Sequence, residues 1–207
     1  MIKHLLFLVA AILLPASGGF AQAHLKQTKK TRVKNAVTDI RLVDFLNFTY
    51  QSSLCSQEIR GIGRTVKVRR GKFQNAESYF AVVDDKVIYA DATGDGRADA
   101  VVHIDCGELA ANYSLSEIFI YTLQNGRATR LAEINGKDIE RDYNRYFPNG
   151  TLWSIAENGV KVRNGRLIIE RFAEGSHAAP EYITTFNYKL SGKKFILNGK
   201  PRRKKLV

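Results

Sequence analysis

The sequence predicts a mainly β fold, an antiparallel meander of hairpins forming a sandwich or a partly open barrel with few helices. Asn-Gly occurs six times, at 125–126, 135–136, 149–150, 158–159, 164–165 and 198–199. That dipeptide suits the two positive-φ positions of a type I′ turn, whose twist matches the strands it joins. Between such turns, apolar and polar residues alternate over short runs at near-regular spacing, roughly eleven of them, as in sandwiches and barrels. Composition supplies the core: 44% of the 207 residues are hydrophobic, 25% charged and 10% aromatic. That balance excludes a disordered chain.

In chain order, Val66-Lys-Val-Arg69, Tyr79-Phe-Ala-Val-Val83, Lys86-Val-Ile-Tyr-Ala90 and Ala100-Val-Val-His-Ile104 read as strands. Glu117-Ile-Phe-Ile-Tyr-Thr-Leu123 turns at Asn125-Gly126 into Ala128 to Ile134, and Val160-Lys-Val162 turns at Asn164-Gly165 into Leu167 to Phe172. Tyr182 to Leu190 pairs through Ser191-Gly192 with Lys193 to Leu197, and puts Phe186, Tyr188 and Leu190 on one face. Ile139 to Pro148 suits a turn of helix or a long loop equally well. A single domain is expected over 37–199.

The ends have a different character. Residues 1–23 carry Lys3, the apolar run Leu5 to Leu14, a break at Pro15, and Ala21-Gln22-Ala23, which together read as a signal peptide cleaved before His24. The apolar run is far shorter than the ~20 residues of a membrane span, so no transmembrane anchor is expected after cleavage. Residues 24–36 form a basic arm with little to bury, and 200–207 a basic C-terminal tail. The product is expected in the periplasm or outside the cell. In an oxidising compartment the only two cysteines, Cys55 and Cys106, should form a disulfide.

One motif carries chemistry. Residues 89–102 read YADATGDGRADAVV, and Asp91, Thr93, Asp95, the carbonyl of Arg97 and Asp99 fall at positions 1, 3, 5, 7 and 9 of a calcium loop, with Gly96 at the turn. Hard oxygen donors at alternate positions suit Ca²⁺. Two positions depart from the EF-hand pattern: Thr93 replaces an Asp or Asn, and Val102 stands where the bidentate Glu belongs. Acids 84, 85, 91, 95, 99, 105 and 108 face only Lys86 and Arg97, an acidic island in a chain of net charge +12. Clustered carboxylates repel unless a cation or hydrogen bonds compensate them. The competing reading is an Asx-type turn whose Asp side chains bond backbone amides.

The run Asp91-Ala-Thr-Gly-Asp-Gly-Arg-Ala-Asp99 followed by Ala100-Val-Val resembles the single calcium loop of FG-GAP or VCBS-type repeats in exported bacterial proteins. The resemblance spans about 20 residues. It implies Ca²⁺ on Asp91, Asp95, Asp99 and the Arg97 carbonyl, in a β-domain serving adhesion or ligand binding. A closed propeller needs at least four four-stranded blades, more strands than this chain offers.

Other constellations are thinner. His103 and Asp105 share one strand face while Val102, Ile104 and Cys106 point the other way, which permits an acid–base pair. His177 has no partner at zinc-ligand spacing. The basic excess would suit nucleic acid, but export makes anionic envelope or extracellular polymers, or a protein there, the expected partners. The resulting expectation is an exported, non-enzymatic binding or structural module with a Ca²⁺ loop. The alternative is a small secreted hydrolase using the acidic cluster and His103.

Overall fold

The computed structural model describes residues 37–206; the expected signal peptide 1–23 and basic arm 24–36 lie outside the described residues. Twelve strands and two short α-helices follow in order. They are β1 (Thr49–Gln51), α1 (Leu54–Glu58), β2 (Thr65–Lys67), β3 (Lys72–Gln74), β4 (Ser78–Ala90), β5 (Asp99–Glu108), β6 (Leu115–Gln124) and β7 (Arg127–Asn135). Then come α2 (Gly136–Asn144), β8 (Leu152–Arg163), β9 (Arg166–Ser176), β10 (Ala179–Ser191), β11 (Lys194–Leu197) and β12 (Arg202–Lys205). β3-β4-β5-β6-β7 form one antiparallel sheet, β11-β10-β9-β8 with β12 on β10 form a second, and β1-β2 form a small third. The mainly β, sandwich-like class expected from the turns is the one observed, and no described sheet closes into a barrel.

The alternation of β5 and β6 decides the layering. Ala100, Val102, Ile104 and Cys106 of β5, with Phe119 and Tyr121 of β6, pack beneath the segment 40–68. On the opposite face Val101, Ile118 and Ile120 meet Leu167, Ile169, Ala173, Phe186 and Tyr188 of the second sheet, and Ile139 and Tyr143 of α2. The first sheet is therefore covered on both faces, which is why β5 and β6 read as continuous apolar runs.

The Asn-Gly pairs divide by context. Those at 125–126 and 164–165 make the expected hairpin turns, all four residues having positive φ. Asn135-Gly136 opens α2 instead, because Asn135 accepts from the Asp138 amide while the Asp138 carboxylate accepts from the Asn135 amide, a capping box. The ambiguous stretch near Ile139 is thus helical up to Asn144. Asn158-Gly159 lies inside β8 at a break in its pairing with β9. Gly159 is required there: a Cβ would sit 2.6 Å from the Ala156 carbonyl oxygen.

Two covalent and electrostatic ties hold the N-terminal layer down. The expected disulfide is present, joining Cys55 of α1 to Cys106 of β5 with 6.1 Å between their Cα atoms. Beside it the buried Glu117 of β6 reaches across to α1, where its Oε1 accepts from the amides of Ser53, Leu54 and Cys55. A carboxylate at a helix start satisfies N–H groups that the helix itself leaves unpaired.

The C-terminal boundary expected at Gly199 needs correcting. Arg202–Lys205 continues the domain as β12, paired antiparallel to β10. Local sequence gave no hint of this, because the partners are distant: the Arg203 guanidinium lies 4.0 Å from the Tyr182 ring centre, 4.6 Å from that of Phe147 and 3.3 Å from the Glu174 carboxylate.

Candidate functional site

The loop between β4 and β5 holds the sequence motif. Asp91 Oδ1 accepts from the amides of Thr93, Gly94 and Asp95, and Oδ2 from that of Gly96. Slight desolvation pushes its carboxyl up, but the four amides together hold it below the usual carboxylate range. Asp95 turns outward to a bidentate contact with Arg97, whose guanidinium is 2.7 Å away at its nearest, and this pair keeps the Asp95 carboxyl low. Asp99 is fully buried; Oδ2 accepts from the Ala92 amide and Oδ1 has no partner. The oxygen donors therefore suit a hard cation in kind, yet here they close the loop on itself. Among the described residues no three His, Cys, Asp or Glu side chains are placed to hold a metal.

Asp99 gives a pH prediction. Burial pushes its carboxyl above the ordinary value, against the Ala92 amide. A folded-state pKa above the unfolded one means the native state keeps a proton that the unfolded chain releases. Stability then falls as pH rises from about 3.9 through the raised value. Asp99→Asn should accordingly raise the melting temperature at pH 7 in chelator and make no difference at pH 3. A lower melting temperature at pH 7 would contradict this account.

The second site is a cleft of about 1070 Å³ between the two large sheets. It begins where the inter-sheet core ends. On β5 the row that starts with Val101 continues as His103 and Asp105, and Ser116 stands directly opposite Asp105 on β6. On β9 the inward row Leu167, Ile169 is interrupted by Arg171 before it resumes at Ala173. Sequence reasoning thus located the shared face of His103 and Asp105, but it missed Arg171 and Trp153. The available signal was a charged residue at an apolar period-two position.

The floor of the cleft is polar and incompletely satisfied. Ser116 Oγ donates to Asp105 Oδ1 at 2.7 Å, and His103 Nε2 approaches the same oxygen at 3.4 Å without hydrogen-bonding geometry. Desolvation pushes the Asp105 carboxyl up, but His103, Ser116 and Arg171 outweigh it and hold the group low. Arg171 donates from Nε and Nη2 to the Trp153 carbonyl and from Nη1, at 3.4 Å, to that of Gly136. Among the described residues it has no carboxylate at ion-pair distance, and burial lowers its pKa.

No protein-family model, no curated protein and no solved structure matches this chain. Function must be argued from its own side chains.

The rim of the cleft adds flat surfaces. Trp153 is fixed by its indole Nε1–H donating 3.1 Å to the Glu174 carbonyl and by an edge-on contact with His177. Tyr79 lines the β4 side, and Tyr113 is 55% exposed at the mouth. Lys86 and Lys137 stand exposed at the edge with the acids Asp84, Glu140 and Glu157. The motif loop and the cleft are separate places: His103 and Asp105 line the cleft, whereas Asp91, Asp95 and Asp99 do not.

Proposed function

We propose that this chain is an exported, non-enzymatic binding module of the cell envelope or extracellular space, and that its ligand sits in the cleft between the two large sheets. The observation that carries this reading is the charged floor, Arg171, His103 and Asp105, at inward positions whose neighbours in the same rows are core. Buried polar groups cost stability unless they are bonded. His103 Nε2 has no partner and Arg171 has only carbonyls, a deficit that a ligand removes. Concave sites with a few convergent polar groups are the usual ligand sites of small domains.

The hydrolase reading draws on the same pair, because His103 lies 3.4 Å from Asp105. The nearby hydroxyl argues against it: Ser116 gives its proton to Asp105 and is not activated by the imidazole. Trp153 is the only tryptophan in the chain, so its emission reports directly on the cleft. Oligosaccharides from acidic envelope polymers should change that emission saturably, with no new reducing ends over hours of incubation. Steady release of reducing ends, abolished in His103→Gln, would replace the binding reading with the enzymatic one.

Calcium binding by the loop is a separate proposal, supported by the unpartnered, buried Asp99 Oδ1. It requires Asp95 to leave Arg97. Millimolar calcium after chelation should then raise the melting temperature, since a ligand at 100 times its Kd stabilises by about 2.7 kcal/mol. Magnesium should do less, because it needs stricter octahedral geometry. Asp95→Ala should remove the response, while Asp138→Ala should lower the starting stability and keep the calcium shift. A flat calorimetric trace at millimolar calcium would leave the loop as a turn.

A further inference from the structure

We infer that the cleft takes a carboxylated sugar ring of an acidic glycan, with the carboxylate received by Arg171 and His103 and the ring by the rim aromatics. The inference rests on the binding reading above and gives its ligand a chemical class. The floor holds a cation without a counterion and a donor without an acceptor: the Arg171 guanidinium, each of whose nitrogens already gives one hydrogen to the Trp153 or Gly136 carbonyl, and His103 Nε2, which has no hydrogen-bond partner. Arg171 and His103 line the same cleft, and the remaining Nη1 and Nη2 hydrogens of the guanidinium can meet the planar carboxylate fork. Asp105 accepts from Ser116 Oγ and stands 3.4 Å from His103 Nε2 without bonding it, so a ligand carboxylate takes the Nε2 hydrogen in competition with Asp105. The remaining acids of the cleft, Asp84, Glu140 and Glu157, are exposed beside Lys86, while Lys137 is paired with Glu58 at 2.6 Å. Water screens them far more than the floor.

The walls choose between kinds of carboxylate. They mix aliphatic side chains such as Leu115, Leu152 and Val160 with Tyr79, Tyr113 and Trp153 and with amides and hydroxyls such as Asn112 and Ser114, polar groups that a bare acyl chain would leave unpaired. Flat rings with scattered hydrogen-bonding groups fit a pyranose, which has one apolar face and a hydroxylated edge. A peptide docking as an added strand would meet β8, the edge strand that forms one wall. That strand breaks register between Leu152 and Ile155 and again between Ile155 and Val160, and bulged edges resist strand addition. The volume of about 1070 Å³ lies at the upper end of the range usual for small-molecule pockets and leaves room for more than one pyranose. The basic arm 24–36 and the basic C-terminal end would draw a polyanion from a distance.

The test follows Trp153 emission in the full chain, titrated with trigalacturonate, its trimethyl ester, neutral trigalactose and monomeric galacturonate at 150 mM salt. Trigalacturonate should bind saturably, and the ester and neutral trimer at least tenfold more weakly, the loss expected for a charge-assisted hydrogen bond. The monomer should bind more weakly than the trimer; equal binding would assign the site to free sugar acids. His103→Gln and Arg171→Gln should erase the preference for acid over ester, and Tyr113→Ala should weaken all the sugars alike. His103 keeps the test decisive if Arg171→Gln fails to fold, because its Nε2 makes no hydrogen bond within the described residues. Equal affinity for trigalacturonate and its ester would overturn the carboxylate inference and leave the cleft as a ligand site. A response only to short peptides would overturn the sugar class. Binding that ignores all three substitutions and vanishes with salt would remove the cleft reading as well, placing the glycan on the basic exterior.

Discussion

Reduction of the Cys55–Cys106 disulfide should lower the thermal midpoint by roughly 8–16 °C. The bond closes a loop between residues 51 apart in sequence. By chain entropy such a closure stabilises the fold by roughly 4 kcal/mol, and each kcal/mol moves the midpoint by about 2–4 °C in a domain of this size. Both sulfurs are fully buried, so the link should resist mild reductant until the N-terminal layer opens. Calorimetry with and without denaturing reduction measures the shift. Mass spectrometry of the native protein should find no alkylated cysteine. Two freely alkylated thiols in the folded state would remove the tie that holds α1 to β5.

Glu117→Ala should cost about 3–5 kcal/mol, comparable to breaking a buried charge pair, because it leaves several buried N–H groups without an acceptor at once. The amides of Ser53, Leu54 and Cys55 all lose the same oxygen, and Ser52 Oγ loses it too. Glu117→Gln keeps an acceptor at the right reach and should recover more than half of the loss. Since the same short helix carries Cys55, the two ties are coupled. Glu117→Ala should cost less in the reduced protein than in the oxidised one. Urea unfolding of the four species reads this directly, and strict additivity would show that the carboxylate and the disulfide hold different structures.

The hairpins were legible because their determinants are local. Asn125-Gly126 and Asn164-Gly165 need only their own positive-φ preference and the alternating runs beside them. Asn135-Gly136 misled because Asp138, three residues on, completes a cap and redirects the chain into α2. The motif at Asp91 was visible as a pattern, whereas the direction of each carboxylate depends on amides that only the folded loop presents.

The sequence by itself determined the β class, the positions of most turns, and the opposite faces of β5 on which Cys106 and the His103–Asp105 pair lie. A period of two and a turn dipeptide are properties of neighbouring residues and survive without context. The tertiary structure alone decided that Glu117 caps α1, that the basic end folds back as β12, and that Arg171 and His103 line one cleft. Each of these joins groups far apart in the chain, such as His103 and Arg171, and local preference carries no information about which distant strands pack together. The facing rows are apolar in the shared core, and the polar positions Arg171, His103 and Asp105 line the cleft.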